Sequence, residues 1–160
     1  MKLHLGCGLD RRSGYVNVDV RANVRPDRVM DVRDLSSIRD DSVEEILARD
    51  VLEHVGWREV DDVLAGWFRV LMPGGTLYLQ LPNLRYLADR YLTTGNTTEF
   101  VLWLYGGQDY PENSHRCGFD KDSLRAALRC AGFLVSEIGT DGGANILCAA
   151  RKPDPNRGVA

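Results

Sequence analysis

Leu3-His4-Leu5-Gly6-Cys7-Gly8 and, eleven residues beyond Gly8, the aspartate that closes Tyr15-Val16-Asn17-Val18-Asp19 are the stretch whose reading decides the fold. Lys2–Leu5 is a short apolar run ending on glycine, which suits a strand running into a turn. Glycine is the residue required where backbone must approach a ligand closely, because a Cβ would collide with it. Tyr15–Val20 alternates like a second strand, and Asp19 near its end is placed to accept hydrogen bonds from two ribose hydroxyls. In dinucleotide folds that acid lies about 20 residues after the glycines. Here the interval is too short for an ordinary crossover helix, which takes about a dozen residues with its loops. Leu9–Gly14 is therefore expected to be a loop or one turn. Without that helix there is no N-terminus to seat a pyrophosphate, and the third glycine of the dinucleotide fingerprint is missing, with Asp10 near its place. A ligand lacking phosphate fits better than NAD.

Outward from this start, apolar runs alternate with helical periodicity, the pattern of βαβ units and a mostly parallel sheet. Arg28–Val32 is a weak edge strand, Val43–Ala48 a further strand, and Thr76–Leu81 the clearest one. Phe133–Ile138 and Asn145–Ala150, separated by the turn-rich Gly139–Gly143, predict an antiparallel finish. Trp57–Met72 spaces Val60, Val63, Leu64, Trp67, Phe68 and Leu71 as one buried helical face, which Pro73-Gly74-Gly75 terminates. Asp120 caps a helix over Lys121–Ala131, and Gly132 supplies a left-handed residue after it. Asn83–Cys117 holds two short helices, Leu84–Thr93 and Thr97–Tyr105, and a polar aromatic loop. So long an insertion after a strand's carboxyl end points to function.

With 160 residues the chain suits one domain. The expected layout is a single domain over 1–151, an acceptor-side insertion at 83–117 and a frayed tail at 152–160. A net charge of −3 leaves no electrostatic footprint for nucleic acid, which is not expected as a partner. Cys7, Cys117, Cys130 and Cys148 form no CxxC pair, so neither a zinc ribbon nor a disulfide framework is expected, and no metal. Cys130 and Cys148 read as small core residues. No apolar run reaches the roughly 20 residues of a membrane span, and nothing resembles a signal peptide, so the expected setting is cytoplasmic.

These residues together resemble the class I (Rossmann-like) S-adenosylmethionine-dependent methyltransferases, in a small bacterial form with a shortened segment between motif I and the second strand. Leu5-Gly6-Cys7-Gly8 resembles motif I, and Tyr15-Val16-Asn17-Val18-Asp19 the following strand. Asp31-Val32 is similar to the adenine-contacting pair. Val43-Glu44-Glu45-Ile46 and Val51-Leu52-Glu53-His54-Val55 resemble the run around the fourth strand, and Leu71-Met72-Pro73-Gly74-Gly75 the turn before the fifth. His115, Phe119, Leu124, Leu128 and Ala131-Gly132-Phe133 resemble the family's ending. The resemblance covers roughly residues 2 to 150.

It implies a three-layer α/β/α fold with a mostly parallel seven-stranded sheet and an antiparallel last strand. It implies S-adenosyl-L-methionine as cofactor. Gly6, Cys7 and Gly8 would lie against its methionine and ribose portions and Asp19 would hold the ribose. Asp31 and Val32 would meet the adenine, and Arg49 and Asp50 would flank the methionine end. His4 stands where many relatives carry an acid for the methionine amino group. A neutral imidazole can accept one hydrogen bond there, whereas a strand histidine satisfied by a neighbouring backbone group is the competing reading.

Methyl transfer draws mainly on positioning, and a base is needed only where the acceptor is protonated. His115 is the leading base, against a loop-anchoring role. His54, beside Glu53, is a second, against helix capping. Trp103, Tyr105 and Tyr110 compete between lining an acceptor pocket and packing. The chain starts at its first strand, so the pocket is expected to be open or completed by a second subunit, as in a homo-oligomer. The acceptor expected is an oxygen or nitrogen of a small molecule, sugar or glycan. A non-catalytic methyltransferase-like binding module or partner subunit is the alternative, and a nicotinamide-dependent oxidoreductase a more distant one.

Overall fold

Asn17 shows how the chain manages without its first crossover helix. Its side-chain Oδ1 accepts from the Arg12 N–H at 2.8 Å, while Nδ2 donates to the Arg12 and Tyr15 carbonyls and to Asp27. One buried amide thus satisfies the backbone of the loop after Gly8 from within the sheet. Leu9–Gly14 contains no helix, as its length requires.

The computed structural model describes residues 1–156. Its strands are β1 (Lys2–Leu5), β2 (Val16–Asp19), β3 (Arg28–Val29), β4 (Val43–Arg49), β5 (Leu71–Pro82), β6 (Leu134–Thr140) and β7 (Asn145–Arg151). Its α-helices are α1 (Val60–Val70), α2 (Leu84–Thr94), α3 (Thr97–Tyr105) and α4 (Lys121–Cys130). They form one seven-stranded sheet in the order β3-β2-β1-β4-β5-β7-β6. Every pairing is parallel except those of β7, which alone runs against its neighbours. This is the mostly parallel seven-stranded sheet with an antiparallel last strand that the sequence leads one to expect. The order reverses between β1 and β4, and in open α/β sheets ligands bind outside the carboxyl ends at such a point.

Register sorts the side chains. Leu3, Ile46, Leu77 and Ala150 align across four strands, as do Leu5, Ala48, Leu79 and Cys148, and all are at most 5% exposed. The apolar stripes of α1 and α4 join the same core cluster. The alternate residues Leu47, Tyr78, Gln80 and Leu147 face the other way and are only half-buried or exposed, Tyr78 at 42%. The helical layering is therefore lopsided. Beyond the loop over His4 and Asn17, the second face is left to these mixed side chains.

Boundaries depart from expectation in three places. Helix α1 ends at Val70, and Pro73-Gly74-Gly75 lies inside β5 rather than stopping the helix: β4 pairs first with Leu71 and then, after an irregularity, with Thr76. Cys130 is exposed, because the buried stripe of α4 is carried by Leu124 and Leu128. Lys152, expected in a frayed tail, donates its backbone N–H to Gly75 and its ammonium to the Phe68 carbonyl and Asp41. The rest of that tail, 157–160, lies outside the described residues.

Helix α1 also holds the segment between β3 and β4. Trp67, fully buried, donates its indole N–H to the Val32 carbonyl at 2.8 Å, and Arg69 donates to the Leu35 and Ile38 carbonyls. Trp67→Phe keeps most of the ring volume but orphans the Val32 carbonyl. A loss of about 1–3 kcal/mol in chemical denaturation is the expected result.

Candidate cofactor and acceptor site

Three strand ends meet at the reversal point. Gly6 follows β1 at φ +61°, and a Cβ there would stand 2.5 Å from Val51 Cγ2. Asp19 closes β2 and is 4% exposed. Its Oδ2 accepts from the Gly8 N–H at 2.8 Å, and its Oδ1 accepts from the Arg21 N–H at 2.9 Å and Arg21 Nε at 3.3 Å. A carboxylate oxygen has about two acceptor positions, so Oδ2 keeps one to offer. Asp50 follows β4 at φ +54° and accepts from Gln80 Nε2 at 3.1 Å. Burial raises its carboxyl above the ordinary range.

These residues line one cavity of about 280 Å³ together with Asp31, Val32, His54, Arg21 and Tyr110. That is near the lower end for small-molecule sites. Asp31 is gripped by Arg33, whose Nε and Nη2 donate to its oxygens at 2.6–3.0 Å, and this pairing holds the carboxyl below the usual range. The Arg21 guanidinium stacks over the Tyr110 ring, 4.1 Å from its centroid. The pair joins residues 89 positions apart that meet only in space, so no local pattern signals it.

A second cavity of about 410 Å³ adjoins the first and shares Asp50, His54 and Tyr110 with it. Glu53, Trp103 and His115 line it as well. His115 Nδ1 lies 2.9 Å from the Trp103 carbonyl and His54 Nδ1 3.1 Å from the Ser114 carbonyl. A carbonyl only accepts, so each Nδ1 carries the proton and each Nε2 keeps a lone pair. Burial lowers both pKa values and favours the neutral rings, whose centroids are 5.0 Å apart. The 105–117 segment is brought here by backbone: Arg116 and Cys117 both donate N–H to the Glu53 carbonyl.

Glu53 stands out in the sequence only by its place beside His54. It is 2% exposed, and neither carboxylate oxygen has a hydrogen-bond partner. Burial pushes its pKa up to about 8.

Four positions expected at the cofactor do not line the cavity. His4 alternates with Leu3 and Leu5, so it projects to the opposite sheet face, where Nδ1 meets Asn17 Oδ1 at 3.3 Å. Its partner is thus a side-chain amide rather than a backbone group. Cys7 is buried, with its thiol directed to the Gly8 carbonyl. Gly8 acts through its N–H on Asp19. Arg49 shares the second face with its partner Gln80, to which its Nε donates at 3.1 Å. Gly6, Asp19, Asp31, Val32, Asp50 and His54 do meet at the cavity. Tyr105 is 53% exposed and lines neither of these cavities but a separate one of about 500 Å³, with Val101 and Leu102.

A family model described as a methyltransferase domain matches residues 3–79. Among solved structures, a SAM-dependent methyltransferase from Methanosarcina mazei is 21% identical at a TM-score of 0.70, covering 96% of this chain and 92% of its own. An S-adenosylmethionine-dependent methyltransferase from Mesorhizobium loti is 17% identical at 0.66, with coverages of 94% and 89%. A chain of the complex between the Haloferax volcanii Trm112 methyltransferase activator and a methyltransferase is 16% identical at 0.69, with coverages of 95% and 82%. No curated protein matches the chain. Among the described residues no helix is long and apolar enough to cross a membrane.

Proposed function

We propose that this chain is an active enzyme of the class I, Rossmann-like methyltransferases, with S-adenosylmethionine as its cofactor. It moves a methyl group to an oxygen or nitrogen of a small-molecule, sugar or glycan-type acceptor. One observation carries this reading: Asp50, His54 and Tyr110 are common walls of the two cavities, so carboxylates suited to an adenosine and two neutral imidazoles open on one space.

The residues fit the cofactor. A Cβ at Gly6 would crowd Val51, and Asp19 Oδ2 retains an open acceptor position. Asp19 would hold the ribose hydroxyls, Asp31 and Val32 the adenine edge, and Gly6 with Asp50 the methionine end. When bound, the cofactor supplies an electrophilic methyl carbon on a sulfonium. The chain's own contribution is to hold the acceptor in line with it, in the cavity between Trp103, His115 and Tyr110. For a hydroxyl or ammonium acceptor, Nε2 of His115 or His54 is free to take the proton, because Nδ1 is occupied. We place the enzyme in the cytoplasm, where its four unpaired cysteines would stay reduced.

A second reading, a methyltransferase-like binding module or partner subunit, draws on the Haloferax volcanii complex with an activator and on the half-exposed sheet face around Tyr78 and Leu147. Calorimetric titration with S-adenosylmethionine, its demethylated product and NAD, followed by labelled-methyl transfer to a panel of hydroxyl, amine and sugar acceptors, separates the two. Binding of the first two ligands with turnover is expected. Binding without turnover across the panel favours the module, and binding of NAD alone overturns both.

A further inference from the structure

We propose that Glu53, His54 and His115 form a binding site for one divalent transition-metal ion, on the wall where the two cavities meet. One ligating atom from each lies within 4.8 Å of the other two. Two imidazoles and one carboxylate are a donor set that first-row ions such as Fe²⁺, Co²⁺ and Zn²⁺ accept.

Two independent observations point to an ion. Glu53 is buried, yet both its oxygens are without a hydrogen bond, and a buried carboxylate is ordinarily paired, hydrogen-bonded or bound to a metal. Both histidines donate Nδ1–H to a backbone carbonyl, which is the outer-shell arrangement that orients metal-ligating imidazoles and fixes their tautomer. Metal–ligand bonds of about 2.0–2.2 Å set ligand atoms roughly 3.0–3.6 Å apart, so loading draws the three side chains together.

Three protein ligands leave at least one coordination position, and the residues that hold the ion line the proposed acceptor cavity. This role rests on the methyltransferase reading. With the ion bound, the Nε2 lone pairs of His54 and His115 are ligands and not bases; an acceptor hydroxyl at the ion ionises more readily, its proton leaving to water. The oxygen then forms a bond to the methyl carbon as the carbon–sulfur bond breaks, with no electron transferred to or from the metal.

The test begins with chelator-treated protein titrated with Co²⁺ and with Zn²⁺ by calorimetry, and with Co²⁺ by visible absorption. One equivalent of each ion and ligand-field bands from bound Co²⁺ are expected. Glu53→Gln and His115→Gln should each weaken binding by at least about 100-fold, the upper end of what outer-shell changes cost. Thermal melts and S-adenosylmethionine titrations of both variants report whether fold and cofactor pocket persist. Absence of stoichiometric binding by the wild-type chain, or equal binding by two folded variants, overturns the metal site. Methyl transfer that persists in chelator then leaves the enzyme standing without it. Metal binding without affinity for S-adenosylmethionine would overturn the enzyme reading and leave the site.

Discussion

Gly6→Ala is expected to destabilise the chain by about 2–5 kcal/mol and to weaken S-adenosylmethionine binding at least tenfold. Two separate costs add. An alanine held at φ +61° meets a backbone penalty of roughly 1–2 kcal/mol. Its Cβ would also stand 2.5 Å from Val51 Cγ2, and Val51 is 5% exposed, so overpacking adds roughly 1–3 kcal/mol. Neither wall can yield without moving the end of β1 or the start of the segment after β4, and both line the cavity. The double variant with Val51→Ala separates the terms: it should recover the steric part and leave the backbone part. Thermal denaturation and calorimetry measure both. Wild-type affinity in a folded Gly6→Ala would remove Gly6 from the cofactor site.

Asp19→Ala should be nearly as severe and fail differently. The carboxylate is the common acceptor for the N–H groups of Gly8 and Arg21, so its loss leaves donors of two turns unsatisfied beside the cavity. Hydrogen bonds to a charged group contribute about 1.5–3 kcal/mol each, and a weakening of cofactor binding by about 1–3 kcal/mol is expected. Asp19→Asn keeps the shape but can present only one acceptor oxygen, so it cannot serve both turns and a ribose. It should therefore bind the cofactor more like alanine than like wild type. An unaltered affinity in Asp19→Ala, measured where the variant is folded, would show that the ribose is held elsewhere.

The two variants probe features of differing legibility. The glycine and the aspartate stood out because each is a local demand: a strand end that must admit close backbone approach, and a carboxylate at the next strand end. Loop length carried further information. Eleven residues from Gly8 to Asp19 exclude a crossover helix, and the structure has none. The keystone of that shortened loop, Asn17, was invisible, because its worth lies in which backbone groups it happens to reach. His4 shows how alternation misleads when a motif is copied position by position. Its strand neighbours are core-facing, so its own ring turns to the face away from the cavity. Arg49 misses the site for the same reason, while Asp50, one residue on, reaches it through a left-handed backbone.

Periodicities of two and three to four and the turn residues between them sufficed to place the strands and helices along the chain, since each is set by neighbours in sequence. The seven-stranded sheet with its reversed strand, and Asp31 and Asp50 at its ends, were expected through the family resemblance. The meeting of Glu53 and His54 with His115, the Arg21–Tyr110 stack and the shared wall of the two cavities were decided only by the tertiary structure. They join segments sixty to ninety residues apart, and what brings them together is a pair of backbone hydrogen bonds onto the Glu53 carbonyl, which any residue type at 116 and 117 other than proline could make.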